Sequence, residues 1–261
     1  MTYILYAVLF GVVQGLTEFL PISSTGHLIL LEKFFKLPPE TFGLSFDIAL
    51  HIGTLLALLI YFRKDVIAII YNMVSRKDNL GIKLLIATIP AIFAGLVFEK
   101  LIRADFRSPI LMAVNLFIFS FVFLIAEKLD KNNNKVDNIS FKQSFVIGIY
   151  QAIALLPGVS RSGITISGGL FSGLTKEDAG RFAFLLSIPI IALASIADLP
   201  HLISGEFNSQ TLGVFTVGML SAFVTGYFCI KYFLIYLKKH GFVPFVVYRI
   251  ILAVLILLYF K

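Results

Sequence analysis

Tryptophan is absent from this 261-residue chain, cysteine occurs once, and charged residues make up only 14% of it. Each shortage excludes something. Without Trp, any aromatic belt at a membrane surface has to be built from the 10 Tyr and 27 Phe. A lone Cys229 cannot form an internal disulfide and sits in no metal-ligand spacing, so it leaves the redox compartment unread. So few charges beside 58% apolar residues exclude an ordinary soluble domain, which could not bury that fraction. A basic stretch before the first apolar run is also lacking, so a cleaved signal peptide is not expected. The net charge of +7 does not point to nucleic acid. The basic residues fall between apolar runs, where membrane topology accounts for them.

What is present is apolar sequence in long runs, which reads as an all-α polytopic membrane protein. Six runs, at about 44–62, 82–100, 108–128, 182–200, 212–236 and 243–260, approach the ~20 residues that cross a ~30 Å hydrocarbon core. Two further regions do not read as single spans. Residues 3–35 are broken at Pro21 by "PISSTGH", and residues 143–173 at Pro157 by "PGVSRSG". Both breaks put Pro, Gly and hydroxyls at membrane depth, where each unpaired backbone group costs several kcal/mol. Each break is therefore expected to be shielded by protein or to line a wet cavity.

The breaks resemble each other. Setting "QGLTEFLPISSTG" (14–26) over "QAIALLPGVSRSG" (151–163) without a gap pairs Gln14 with Gln151, Ser23 with Ser160, Thr25 with Ser162 and Gly26 with Gly163. Three spans follow each break. The pattern predicts a duplication within a single membrane domain, one copy at about 1–128 and the other at about 143–261, joined by a cytoplasmic loop at 129–142. An odd number of spans per copy inverts the second. If both breaks are re-entrant hairpins (3–35 and 143–173), the segments 63–83, 128–142, 172–181 and 231–240 share one face and carry 14 of the 22 Lys and Arg. The opposite face carries Lys33, Lys36, Lys100, Arg103, Arg107 and Lys261. The positive-inside rule makes the first face cytoplasmic and puts both termini outside. Inverted repeats with broken helices place a site at the repeat interface near the midplane.

Several residues in the breaks can carry chemistry. Glu18 follows Gln14 by four residues, which stacks them on one helix face, and an ionisable group at membrane depth is a functional candidate by default. Ser23, Ser24 and Thr25 offer hydroxyls that can hold phosphate or a metal-bound water, although Ser and Thr also serve as ordinary glue between membrane helices. His27 can exchange protons near neutral pH. In the second break, Arg161 lies between Ser160 and Ser162, with Thr165 four residues on. An arginine in a membrane core needs an anion. Glu18 supplies one charge, and the hydroxyls suggest a polyanion such as phosphate, which a guanidinium grips with two parallel bonds. The plainer reading is a buried Arg–Glu pair that locks the halves together. Asp47 and His51, spaced i, i+4 at the start of a span, either face the site or pair with each other, and Arg249 in the last run either meets an acid or snorkels.

Two other motifs fail. "GVSRSGIT" has the glycine spacing of a P-loop but Ile164 in place of its lysine. A phosphohistidine route, expected to need a histidine six residues after the arginine, meets Ser167 there.

"QGLTEFLPISSTGH" and "LPGVSRSGITISGG" resemble the two signature motifs of the undecaprenyl-diphosphate phosphatase family, also called the bacitracin-resistance family. The likeness runs along nearly the whole chain and takes in "SIPI" (187–190) and "FVPFVVYRI" (242–250). Gln14 stands at the first position of that family's Glu/Gln-x3-Glu motif, so one of two possible carboxylates is present. The resemblance implies removal of the terminal phosphate from a polyprenyl diphosphate, regenerating the monophosphate carrier of bacterial cell-wall synthesis. It also implies six spans with two re-entrant helix pairs in the plasma membrane, a site open to the outer face, and a divalent cation, Mg²⁺ or Ca²⁺.

Within that reading Arg161, Ser160, Ser162 and Thr165 grip the diphosphate, with Ser23, Thr25 and Gln14 beside them. Glu18 holds the cation or orients its partner, Ser24 or a water attacks phosphorus, and His27 is the general acid/base. The expected partners are the lipid substrate and the surrounding bilayer, and the sequence leaves monomer and homodimer both open. The rival reading is a transporter or flippase of the lipid carrier, since midplane sites in inverted repeats suit transport equally well.

Overall fold

The computed structural model describes residues 2–104, 108–129, 135–203 and 208–260, with the side chains of 99–104 and 201–203 left aside. Lys100, Arg103, Arg107, Lys131 and Lys261, among the basic residues that set the expected topology, fall outside the described side chains, as do residues 130–134 of the connecting loop. The described residues are helical apart from short connections. In chain order the helices are α1 (Thr2–Thr17), α2 (Ser24–Phe35), α3 (Pro39–Phe42), α4 (Leu44–Tyr61), α5 (Arg63–Val74), α6 (Leu80–Ala104), α7 (Pro109–Lys128), α8 (Phe141–Ile153), α9 (Arg161–Phe171), α10 (Lys176–Ile203), α11 (Ser209–Leu237) and α12 (Val243–Tyr259).

Local sequence sets many of these boundaries. Ser108 caps α7 by accepting the Leu111 N–H, with Pro109 in its first turn, where a missing N–H costs nothing. Ser140 and Gln143 form a reciprocal capping box at α8. Asn208 caps α11 by accepting the Thr211 N–H at 2.8 Å. Helix α2 ends at Lys36 in the left-handed region (φ 48), just ahead of Pro38 and Pro39.

Among the described residues, five stretches are long and apolar enough to cross a membrane: Pro39–Tyr61, Leu80–Phe98, Pro109–Lys128, Lys176–Pro200 and Ser209–Leu237. The chain is thus a multi-pass membrane protein. The sixth expected run forms α12, which at 17 residues is shorter than the other five. Each of the two broken regions forms two helices, α1–α2 and α8–α9, joined by turns at 18–23 and 154–160.

Two contacts repeat. Helix α1 packs along α11, and α8 packs along α6. Each contact uses a glycine three residues before a buried glutamine, Gly11 before Gln14 and Gly148 before Gln151. A Cβ on Gly11 would lie 2.4 Å from the Gly218 carbonyl oxygen, and one on Gly148 2.4 Å from that of Ala87, so in both cases backbone meets backbone. The largest apolar core takes in Phe19 of the first turn, Val159 of the second, and buried residues of α4 and of α6 to α12. Phe19, from the first turn, meets Phe184 of α10 edge to face, with centroids 5.4 Å apart.

Candidate functional site

The two turns hold the same unusual backbone. Ser23 has φ/ψ of 73/97 and Ser160 has 74/108, and each immediately precedes a helix start. Such a conformation costs a non-glycine residue of the order of 1–3 kcal/mol and persists where its surroundings over-determine it. In the second turn Gly158 sits at φ 88, and a Cβ there would also lie 2.4 Å from the Met112 carbonyl oxygen, so both torsion and space require glycine. Asn115 of α7 fastens this turn by donating to the Pro157 carbonyl at 2.8 Å.

Between the turns lies a polar cluster. Arg161, the first residue of α9, donates through Nη2 to Glu18 Oε1 across the two breaks. The other carboxylate oxygen, Oε2, accepts from Ser24 Oγ at 2.7 Å and Gln14 Nε2 at 3.1 Å. His51 Nε2 stands 3.8 Å from the same oxygen, while its Nδ1 is bound to the backbone carbonyl of Asp47. Ser162 Oγ lies 3.2 Å from Ser160 Oγ and donates to the Leu20 carbonyl, a second tie between the turns. The cluster is incompletely satisfied. Arg161 Nη1 and Gln14 Oε1 are both buried with no hydrogen-bond partner among the described residues. A buried, unpartnered guanidinium nitrogen is costly and calls for an anion.

Not every residue singled out from the sequence joins this cluster. Thr165 turns its hydroxyl back onto the Arg161 and Ser162 carbonyls of its own helix. Thr25 is exposed on α2. Ser23 contributes its carbonyl, which accepts the His27 Nδ1 proton at 2.7 Å. His27 Nε2 then lies 2.6 Å from the Tyr248 hydroxyl, with the two rings 6° from parallel. His27 therefore faces α12, and the proton acceptor on Ser24 is Glu18.

Tyr248 and Arg249 carry more than the sequence suggested. Arg249 neither meets an acid nor snorkels. It is fully buried and donates to Ser120 Oγ (3.0 Å) and to the carbonyls of Leu116 (3.2 Å), Gly158 (3.1 Å) and Pro21 (3.3 Å). Its Cζ lies 4.6 Å from the centroid of the Phe123 ring. One side chain of α12 thus staples both turns. The available signal was its isolation: a single arginine in an otherwise uncharged run.

Fold and cluster together define a class: a helical, multi-pass membrane protein with an arginine, a carboxylate and several hydroxyls gathered where two broken helix pairs meet. The family follows from sequence comparison. A profile of the family described as "Bacitracin resistance protein BacA" matches residues 7–255. A protein of Rubrobacter xylanophilus named undecaprenyl-diphosphatase is 40% identical, over 98% of both chains. Proteins of the same name from Moorella thermoacetica (41%, 98% of both chains) and Thermodesulfovibrio yellowstonii (44%, 97% of this chain and 96% of the relative) are similar to the same extent. The chain belongs to the bacitracin resistance protein BacA family.

Proposed function

We propose that this protein hydrolyses undecaprenyl diphosphate to undecaprenyl phosphate and inorganic phosphate, returning the lipid carrier to cell-wall synthesis and thereby conferring bacitracin resistance. The observation that carries the reading is the divided guanidinium of Arg161, with one nitrogen on Glu18 and the other buried without a partner among the described residues. A phosphate oxygen completes that geometry and draws Arg161 toward the substrate. This frees Glu18 to take the Ser24 proton as Ser24 Oγ attacks the terminal phosphorus and undecaprenyl phosphate leaves. Water then cleaves the phosphoserine, with His27 as acid/base once its Nε2 leaves the Tyr248 hydroxyl. Ser160 and Ser162 steady the phosphate, and Arg161 offsets charge building in the transition state.

The resemblance also implies a divalent cation. Oxygen donors suit Mg²⁺ or Ca²⁺, which are commonly held by one or two carboxylates together with substrate phosphates. Glu18 and the unsatisfied Gln14 Oε1 are the groups that would hold it. Among the described residues no three His, Cys, Asp or Glu side chains gather as a protein-only metal cage, so the substrate would complete the shell. A cation held there would neutralise phosphate charge.

The topology we infer is six spans, α12 being the sixth, and two re-entrant pairs in an inverted repeat. The paired Ser23 and Ser160 conformations and the α1–α11 and α8–α6 contacts support it. With the basic loops cytoplasmic, the site opens to the outer face. The test uses purified protein in detergent, where release of phosphate from undecaprenyl diphosphate has no vectorial requirement. We expect release that chelation abolishes and Mg²⁺ or Ca²⁺ restores. No release with cation present leaves the transporter reading standing.

A further inference from the structure

Helix α5 is apolar over more of its surface than its packing covers. Val66 and Ile69 pack toward the core, Ile69 and Met73 cover Gly81, and Asp65 pairs with Arg181 of α10. The adjoining stripe is Ile67, Ile70, Tyr71 and Val74, spaced i, i+3, i+4, i+7. These four are 68%, 53%, 59% and 77% exposed. Such a patch marks a docking surface or lipid.

Position decides which. Helix α5 joins the end of α4 to the start of α6, and both of those helices are long and apolar enough to cross a membrane. Its two ends therefore lie at one membrane surface, and its ~18 Å length can lie along that surface. Charge decides the kind of lipid. Arg63 and Lys64 at one end, and Arg76 and Lys77 at the other, are all exposed. The Lys77 ammonium sits 5.1 Å from the centroid of the Tyr71 ring, so cation and apolar stripe share one face. The nearby acids are engaged elsewhere, Asp65 with Arg181 and Asp78 accepting the Leu80 N–H at 3.1 Å. Asp65 and Asp78 are only half-exposed, so the fully exposed charges of this segment are the four cations.

We propose that α5 lies in the membrane surface as an anchor for anionic phospholipid: its apolar stripe is sunk about 5–10 Å to the headgroup–acyl boundary and its four terminal cations sit on lipid phosphates. The chain's lack of tryptophan makes a direct test available. Ile70→Trp gives a single reporter on the stripe, and Ala68→Trp gives one on the exposed flank. The full-length variants are reconstituted in bilayers of phosphatidylcholine and phosphatidylglycerol, with bromine on the acyl chains of one lipid or the other. Thermal melting and monodispersity check the fold.

The expected result is blue-shifted Ile70→Trp emission, quenched more by bromine near the headgroup than by bromine deep in the chain. Ala68→Trp is expected to be quenched mainly by aqueous acrylamide. Brominated phosphatidylglycerol should quench Ile70→Trp at least about twofold more than brominated phosphatidylcholine at equal mole fraction. Changing Arg63, Lys64, Arg76 and Lys77 to Gln should remove that preference and leave the insertion. Equal quenching by the two lipids overturns the anionic-lipid assignment. Free access of acrylamide to Ile70→Trp, or shielding with no bromine quenching, overturns the anchor, the latter in favour of a protein partner. None of these outcomes depends on phosphatase activity.

Discussion

Arg161 gives one guanidinium nitrogen to Glu18 and buries another without a partner among the described residues, and that division sets the expectations at the scale of single residues. Arg161→Lys keeps the charge and loses the fork. We expect kcat/KM for phosphate release to fall on the order of 10²–10³-fold, the range for loss of one transition-state donor. Ser24→Ala should lose at least about 10³-fold in single-turnover release. If Ser24→Ala keeps most of the turnover while His27→Ala does not, water is the nucleophile. Most of these residues were legible in the sequence, because an ionisable side chain inside an apolar run stands out without any structure. What could not be read was aim. His27 turns to Tyr248, more than two hundred residues away in sequence, and Thr165 turns back on its own helix. No spacing rule reports a side-chain direction that tertiary packing sets.

At the scale of elements, the turns depend on helices outside the signature motifs. Removing Arg249 leaves the buried Pro21 and Gly158 carbonyls short of a donor. Arg249→Met should therefore destabilise the protein by at least about 2 kcal/mol, read as a lower melting temperature in detergent. Close helix contacts give a second expectation. Gly11→Val and Gly148→Val force backbone apart and should each cost about 1–3 kcal/mol. A Cβ on Gly95 meets nothing within 4 Å, so Gly95→Ala should be neutral or slightly stabilising. Equal melting of all three glycine variants would contradict the packing described. Hydropathy placed the long helices to within six residues at either end, because ~20 apolar residues leave little freedom. It did not foresee α5 as a separate helix, because a 12-residue segment with charges at its ends reads as a loop when only spans are sought.

For the whole molecule, the ungapped match of the two breaks was the informative signal, and the matching Ser23 and Ser160 torsions give it a physical counterpart. The sequence could pair the breaks but could not say that they touch, since contact between residues 143 positions apart is decided by how all the spans pack. That contact is the central claim: two broken helix pairs make one site, joined through Glu18 and Arg161. The measurement that tests it most directly is a double-mutant cycle on kcat/KM for phosphate release, comparing Glu18→Gln, Arg161→Lys and the double variant. If the two residues act as a unit, the double variant is barely worse than the worse single one, with a coupling of about 1–3 kcal/mol. Simple additivity, with coupling below about 0.5 kcal/mol, would mean that the residues work independently and the account of a shared site is wrong.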